Sequence, residues 1–290
     1  MDITEIIKEA FMFPSKDFGK LSTYIVITLV AGFFSIGAIF KMSFGIILGD
    51  NGRILIGALL LIIAIILALI RKGYQISIIK SGIDEDETAP EYDLRENLIS
   101  GIKFLILDII YFIIPAIIIM VVGLISNIPG NANAIVNQVK PAFTNMTYPT
   151  TFSSFSTFNS TANSTFPSVT IPDALIANLA YSLLITVVVG LIVFLIFAFI
   201  KTMSEARLAK TDSLAVSLNI IEAIKDIGRI GWGKVIATFI LIIIVIMVIN
   251  AIFGIICSQV ATFGILNLIL APYLMFFGFR ALGLLYGDMD

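Results

Sequence analysis

The chain has no histidine, a single cysteine (Cys257), and charged side chains at only 13% of its positions. The missing histidine excludes catalysts that use imidazole as general acid, general base or metal ligand. Ser-His rhomboid-type proteases, histidine-dependent lipid phosphatases, HExxH metalloproteases and histidine-box di-iron enzymes are thereby ruled out. An enzyme would have to work with Asp, Glu, Lys, Ser or Tyr alone, and no spacing in the chain picks out such a set. The expectation is a protein that is not an enzyme, with no cofactor and no metal. One cysteine cannot form an intrachain disulfide and says nothing about redox compartment. The 18 Lys and Arg against 20 Asp and Glu leave a net charge of −2. The cations are spread through short loops rather than gathered in a patch, which gives no reason to expect a nucleic-acid partner.

What is present is apolar. The chain is 59% hydrophobic with a mean hydropathy of +1.05, which excludes a water-soluble globular domain. Residues 1–20 form a charged amphipathic stretch and do not read as a cleavable signal. A bilayer core of roughly 30 Å needs about 20 mostly apolar helical residues. Six segments meet that need: 21–40, 54–70, 104–126, 174–200, 235–257 and about 261–286. The second is short, but Arg53, Arg71 and Lys72 at its ends can snorkel to the interface.

Orientation follows from the cations. With the N-terminus inside, only Lys41, Arg53 and Lys140 fall outside, and the rest of the 18 lie on the inner side. Residues 128–172 then form an extracellular loop rich in Asn, Ser and Thr, expected to hold little fixed structure. It carries the glycosylation acceptor triplets at Asn145, Asn159 and Asn163. Both signs agree on a multi-pass cell-membrane protein with cytoplasmic termini.

The inner segments share a pattern. Ile3, Ile6, Ile7, Ala10 and Phe11 follow helical spacing, with Asp2, Glu5, Lys8 and Glu9 on the other side. Asp93-x-x-Glu96 reads as a capping box before Leu94, Leu98 and Ile102. Leu214, Leu218, Ile221, Ile224 and Ile227 repeat the stripe, capped by Asp212 or Ser213 and stopped by Gly228. The fold class expected is all-α: six transmembrane helices as three hairpins, each preceded by a cytoplasmic amphipathic interfacial helix. One membrane domain, 1–290, divides into units of about 1–80, 91–201 and 203–290. Asp17-Phe18-Gly19-Lys20-Leu21 and Asp226-Ile227-Gly228-Arg229-Ile230 are alike and support a repeat.

Gly73-Tyr74, Ile79-Lys80-Ser81-Gly82, the acidic run 84–87, Pro90-Glu91-Tyr92-Asp93 and Gly101-Ile102-Lys103 together resemble a signature. It is similar to that of a prokaryotic, archaeal-type integral membrane family known as domain of unknown function 4013. Tyr92 stands where that family commonly has Trp. The resemblance covers about residues 1–125 well. It implies a helical membrane protein and supplies no catalytic residues.

Ionisable and polar groups within spans are functional candidates by default. Asp108 and Arg280 count to a similar depth from the inner side, and are expected to form an intramembrane pair serving mainly as a packing lock. Asn250 and Asn267 are placed to face each other within one hairpin, with Asn250, Gly254 and Ser258 forming a small-and-polar stripe. Pro115 and Pro272 lie near the middle of their spans and can kink them. Gly283-x-x-x-Gly287 and Gly45-x-x-x-Gly49 match GxxxG but lie at membrane edges, where little value is expected of them. The acidic run 84–87 reads as a solvated turn. The partners expected are the lipid bilayer and other membrane proteins or a cell-surface layer. A membrane scaffold or assembly module leads the function classes. A small-solute or lipid transporter or channel comes second, and a histidine-free lipid-modifying enzyme third.

Overall fold

The computed structural model describes residues 1–144, 171–259 and 266–289, and these form only helices joined by short turns. In order they are α1 (Ile3–Lys16), α2 (Phe18–Leu48), α3 (Asn51–Ile83), α4 (Leu94–Ile125), α5 (Ile128–Thr144), α6 (Asp173–Thr211), α7 (Leu214–Ser217), α8 (Ile220–Ile230), α9 (Trp232–Gln259) and α10 (Asn267–Gly287). Six of them (α2, α3, α4, α6, α9 and α10) are long and apolar enough to cross a membrane. The protein is a multi-pass membrane protein. The three sequons, at Asn145, Asn159 and Asn163, lie outside the described residues.

Helix ends follow their capping chemistry. Asp2 and Glu5 form a reciprocal capping box that starts α1. Asp17 stops α1 and starts α2, its Oδ1 accepting from the Lys20 N–H at 3.1 Å. Gly49, at φ 65°, ends α2, and Asp50 then caps α3 through the Arg53 N–H. Asp93 caps α4, accepting from the N–H groups of Arg95 and Glu96 at 2.8 and 2.9 Å.

Chain contacts divide the molecule into two compact units, Met1–Tyr111 with Ala198–Asp290, and Phe112–Phe197. In the first, α2 and α3 run antiparallel over their length. Gly45 meets Ile54, Met42 meets Gly57, Gly37 meets Leu60, and Gln75 donates to the Tyr24 hydroxyl at 3.1 Å. Ala31, Ala38 and Gly45 recur every seven residues on α2, as Gly57 and Ala64 do on α3, and all five are buried. Small residues at that spacing form a narrow seam that lets two helices pack closely. A Cβ at Gly57 would lie 2.9 Å from the Met42 backbone nitrogen, so this seam has no room for a larger side chain.

Helix α10 is the centre of this unit. Of its most apolar window 61% is buried, against 17% or less for every other span. It packs on α1, α2, α3 and α9. Its contact with α3 is glycine on glycine: a Cβ at Gly82 would fall 2.8 Å from the Gly283 Cα, and one at Gly287 would fall 2.9 Å from the Ile83 carbonyl oxygen. The Gly283-x-x-x-Gly287 pair, expected to matter little, is therefore a principal helix contact. Gly45 of the other GxxxG match also packs, its Cβ position 2.7 Å from Ile54 Cγ1, while Gly49 faces open space and serves only as the αL cap.

In the second unit, the end of α4 and the start of α6 pack antiparallel. Ile119 lies on Gly190, and the Phe112 and Phe194 rings meet edge-to-face at 5.9 Å. Asn131 of α5 donates to Ser182 Oγ at 2.7 Å and to the Asn178 carbonyl at 3.3 Å.

Three expectations need correction. Residues 128–144 are helical, so the segment 128–172 does not begin as an irregular loop; Asn131 ties this helix to α6, an anchor its composition did not suggest. The amphipathic stretch after Asp93 does not end before its span, because α4 is one helix through Gly101 and Lys103. The expected helix 214–228 is two pieces. Asn219 starts α8 by accepting from the Glu222 N–H at 3.2 Å, and Gly231, at φ 103°, ends it three residues beyond Gly228. The likeness of 17–21 to 226–230 does not extend to what the two aspartates do. Asp17 is a cap, whereas Asp226 lies inside α8 and is fully buried.

Candidate functional site

The polar chemistry of the first unit is concentrated in three ionic clusters and one aromatic stack. Arg280 is 1% exposed, the largest side chain buried to that degree. Its Nε and Nη2 donate to the two Glu9 carboxylate oxygens at 3.1 and 2.7 Å, and Nη1 donates to the Ser81 carbonyl at 2.6 Å. The guanidinium also sits 4.4 Å from the Phe13 ring centre. Ser81 lies in the last turn of α3, and its carbonyl accepts both from the Asp86 N–H at 2.9 Å and from Arg280, whose charge complements the helix dipole at that end. One side chain thus joins α1, α3 and α10. Glu9, read from sequence as part of the outward face of α1, instead turns toward this contact.

Asp108 and Arg280 do not meet. Asp108 pairs with Lys72 and lies 2.8 Å from Lys201 through Oδ1, an ion pair without the alignment of a hydrogen bond. The reason is depth. Arg280 sits at the level of Ser81 and Gly82, while Asp108 sits at the level of Lys72, nine or ten residues earlier on α3. At 1.5 Å per residue the two levels are about 14 Å apart. Counting depth from Lys103 fails because α4 continues past it into the inner segment.

The Asp108 cluster continues to Glu205, which is nearly buried and forms an ion pair with Lys201 at 2.7 Å. Both lysines lie over the Phe104 ring, at 4.4 and 5.7 Å from its centre. Next to it, Tyr111 and Ser204 share a buried hydrogen bond of 2.6 Å. The third cluster centres on Asp226. One carboxylate oxygen accepts from Arg207 at 2.5 Å and from the Tyr286 hydroxyl at 2.8 Å, and the other accepts from Arg229 at 2.9 Å. This joins α6, α8 and α10. A smaller knot lies at the edge: Lys234 donates to the Asp288 carboxylate and, at 2.7 Å, to the Met1 carbonyl. Lys234 and the amino group of Met1 hold the Asp288 carboxyl below its ordinary value.

The residues of the signature assemble into one piece of architecture. The Tyr74 and Tyr92 rings stack at 3.8 Å and 7°, and the Tyr74 hydroxyl donates to the Pro90 carbonyl at 3.0 Å. Glu91 pairs with Lys20. Gly73 takes the Asn97 carbonyl, and Gly101 takes the Leu69 carbonyl, at positions that any Cβ would occupy. Lys103 donates to the Asp212 carbonyl and carboxylate at 2.8 and 2.7 Å, holding a residue whose φ is 51°. The acidic run 84–87 is an exposed turn, as read from sequence.

Other candidates stand apart. Asn250 is exposed and donates back to the Ile246 carbonyl of its own helix at 2.8 Å, and Asn267 is exposed at the start of α10, with no hydrogen bond between the two. A Cβ at Gly254 would meet nothing, so the expected packing stripe is unpacked there, and the side chain of Ser258 lies outside the described residues. Pro115 and Pro272 are buried, and each lies inside an unbroken helix. Pro14 of α1 makes a more consequential interruption. It offers no N–H to Ala10, and beside the loosened turn the Tyr273 hydroxyl donates to the Phe11 carbonyl at 2.6 Å.

Sequence reading missed Glu9, Lys72, Lys201, Glu205, Arg207, Asp226 and Tyr286. Some left a signal. Asp226 falls three residues after Ala223 and beside Ile227, on the buried face of α8, and Lys201 and Glu205 stand one turn apart. Their partners come from distant helices and have no local trace. Among the described residues no group of three or more His, Cys, Asp or Glu is arranged to hold a metal.

Six apolar spans and internally neutralised charge define a multi-pass helical membrane protein. A family profile described as "Protein of unknown function (DUF4013)" matches residues 56–258, and the chain belongs to that family. The match starts later than the resemblance around residues 1–125 and extends much further, into α9. No curated protein and no solved structure matches the chain.

Proposed function

We propose that this protein is a membrane-embedded scaffold or assembly module without catalytic turnover, engaging other membrane proteins or a surface layer through its outer segment. The observation that supports this most is the saturation of Arg280. All three of its nitrogens donate within one buried contact joining α1, α3 and α10. Polar groups that pass a solute along must exchange partners. Those at Arg280 and Asp226 are instead consumed in holding helices together. In this reading three hairpins lie with both termini cytoplasmic and the segment 128–172 outside, glycosylated at Asn145, Asn159 and Asn163. The distribution of cations and the sequons support that orientation.

The test combines two measurements. Gently solubilised from its native membrane, the protein should migrate in a defined assembly larger than its own detergent particle, and purified protein in vesicles should leave ion, proton and solute gradients intact. A monodisperse lone chain that dissipates a gradient would defeat the proposal.

A transporter is the second reading, and one observation favours it. Lys72 and Lys201 are each 34% exposed while gripping the more buried Asp108 and Glu205. A titratable cluster of that kind can couple to a moving charge. Loss of a measured flux in Asp108→Asn, with the fold retained, would put the transporter ahead of the scaffold.

A further inference from the structure

Between Lys20 and Arg71 the chain carries only two cations, Lys41 near the end of α2 and Arg53 in the first turn of α3. They line one groove of about 360 Å³ between these helices, at the end of the pair opposite Lys72. Gly37 and Leu60, which face each other across the two helices, line its middle. The rings of Phe33, Phe40 and Phe44 form its sides. All three are more than half exposed, with Phe40 and Phe44 stacked at 6.4 Å. Lys41 has no ion pair among the described residues. Arg53 shares its Nε with Asp50 at 3.0 Å, which leaves the outer face of its guanidinium available.

We infer that this groove is a binding site for an anionic membrane lipid. Its headgroup phosphate lies between Lys41 and Arg53, and an acyl chain lies over Gly37 toward Phe33. The geometry has the polarity that such a ligand requires. Both cations belong to the end of the trough nearer the α2–α3 turn. By the Gly45–Ile54 contact Arg53 lies about five residues (~8 Å) beyond Lys41, within reach of two long side chains. The eight residues from Lys41 to Phe33 span about 12 Å along the helix, most of one leaflet's hydrocarbon depth. A purely apolar trough would take any lipid tail. Two cations at its mouth add a preference for a negative headgroup. Aromatic rings around the headgroup level suit the chain region just below it. This site lies outside all three ionic clusters, and its occupancy does not depend on whether the protein is a scaffold or a transporter.

The experiment uses delipidated full-length protein in neutral detergent, probed with phosphatidylglycerol and with phosphatidylcholine of the same acyl chains. Bound lipid is counted by native mass spectrometry and thermal midpoints are read in parallel. The wild-type protein should retain phosphatidylglycerol roughly tenfold more tightly than phosphatidylcholine. Lys41→Gln alone should weaken that preference, and this variant removes no structural pairing. Lys41→Gln with Arg53→Gln should abolish it. Gly37→Leu keeps both charges and fills the middle of the groove. A Cβ there would sit 3.5 Å from Leu60 Cδ1, an ordinary contact, so the rest of the side chain must lie along the groove. An unchanged lipid-free thermal midpoint checks that the helix pair is intact, and retention of both lipids should fall. Equal retention of the two lipids by wild type would overturn the inference. So would a preference that survives the double substitution. An equal thermal shift from inorganic phosphate alone would show an anion site with no role for the acyl chain, and would overturn it as well.

Discussion

Arg280 and Glu9, 271 residues apart in the chain, meet through two parallel hydrogen bonds, so that the last span is fastened to the first helix. The pair is fork-to-carboxylate, the strongest common form of side-chain hydrogen bonding. Arg280 is the buried member, whereas the Glu9 side chain is 23% exposed and has Lys16 3.9 Å away. Glu9→Leu strands the guanidinium and should cost about 3–5 kcal/mol, and Arg280→Met should cost less, both read as a lower thermal midpoint of the purified protein. Arg280→Met combined with Glu9→Leu should recover much of that loss. Additive losses in the double variant would mean that the two side chains are not one energetic unit.

Glycine positions separate close contact from open space. Gly73→Ala would push a methyl group into the Asn97 carbonyl oxygen, and Gly101→Ala would do the same to Leu69. Both partners are backbone atoms within helices and cannot move aside cheaply. Each substitution should abolish stable expression or cost several kcal/mol, in the range of severe overpacking. Gly254→Ala, with nothing within 4 Å, should be neutral or slightly stabilising through helix propensity. Expression level and thermal midpoint of the three variants decide the matter, and equal behaviour would contradict the helix crossing described.

Acid sensitivity should have one traceable contribution at Asp288. Lys234 and the Met1 amino group lower its carboxyl below the ordinary value of about 3.9. A carboxylate whose value is lower in the folded state stabilises the fold above its unfolded value. That contribution is lost as pH falls through the folded one. Thermal midpoints of wild type and Asp288→Asn should thus differ most near neutrality and converge below about pH 4. A difference that stays constant from pH 7 to pH 3 would mean that Asp288 acts through shape rather than charge.

The spans were legible because a bilayer imposes length and hydropathy on each segment separately. The first five expected segments lie within α2, α3, α4, α6 and α9 to within a residue, and the sixth is met by α10 from Asn267 onward, its first residues lying outside the described ones. The helix start at Asp93 was legible for the same reason, since capping is local. Asp2 and Asp17 cap α1 and α2 by the same local chemistry, although the sequence pattern points only to a polar face and a repeat at those positions. What crosses between helices was not. Lys103 has the sequence character of an interface marker, yet α4 runs through it as one helix beside α3, with Gly101 against the Leu69 carbonyl, so depth counted from Lys103 does not give the level of Asp108. Periodicity places Glu9 on the polar face of α1. The stripe of Ile6, Ala10 and Phe13 is flanked closely enough by Glu9 for it to reach a buried guanidinium, a geometry that spacing alone leaves open. The signature residues were recognisable as a set, yet their work is structural: Gly73 and Gly101 set a crossing, Asp93 caps, and Lys103 holds Asp212.

Tyr74 and Tyr92 have the same rings but opposite hydroxyl environments. Tyr74 donates to the Pro90 carbonyl, while the Tyr92 hydroxyl is buried with no partner among the described residues, and burial pushes its ionisation far above the ordinary value. A buried hydroxyl that makes no hydrogen bond carries a desolvation cost without return. Tyr92→Phe should therefore leave stability unchanged or raise it, while Tyr74→Phe should lose about 1 kcal/mol by orphaning the Pro90 carbonyl. Tyr92→Trp should also be accepted, because the flat stack on Tyr74 needs a ring face and no oxygen. Tyr92→Ala removes that stack and should cost about 1 kcal/mol beyond the lost apolar area. Thermal or denaturant unfolding of the four variants gives the ordering directly. A loss in Tyr92→Phe as large as in Tyr74→Phe would show that the Tyr92 hydroxyl has a partner after all, and that the position is held for its oxygen rather than for its ring.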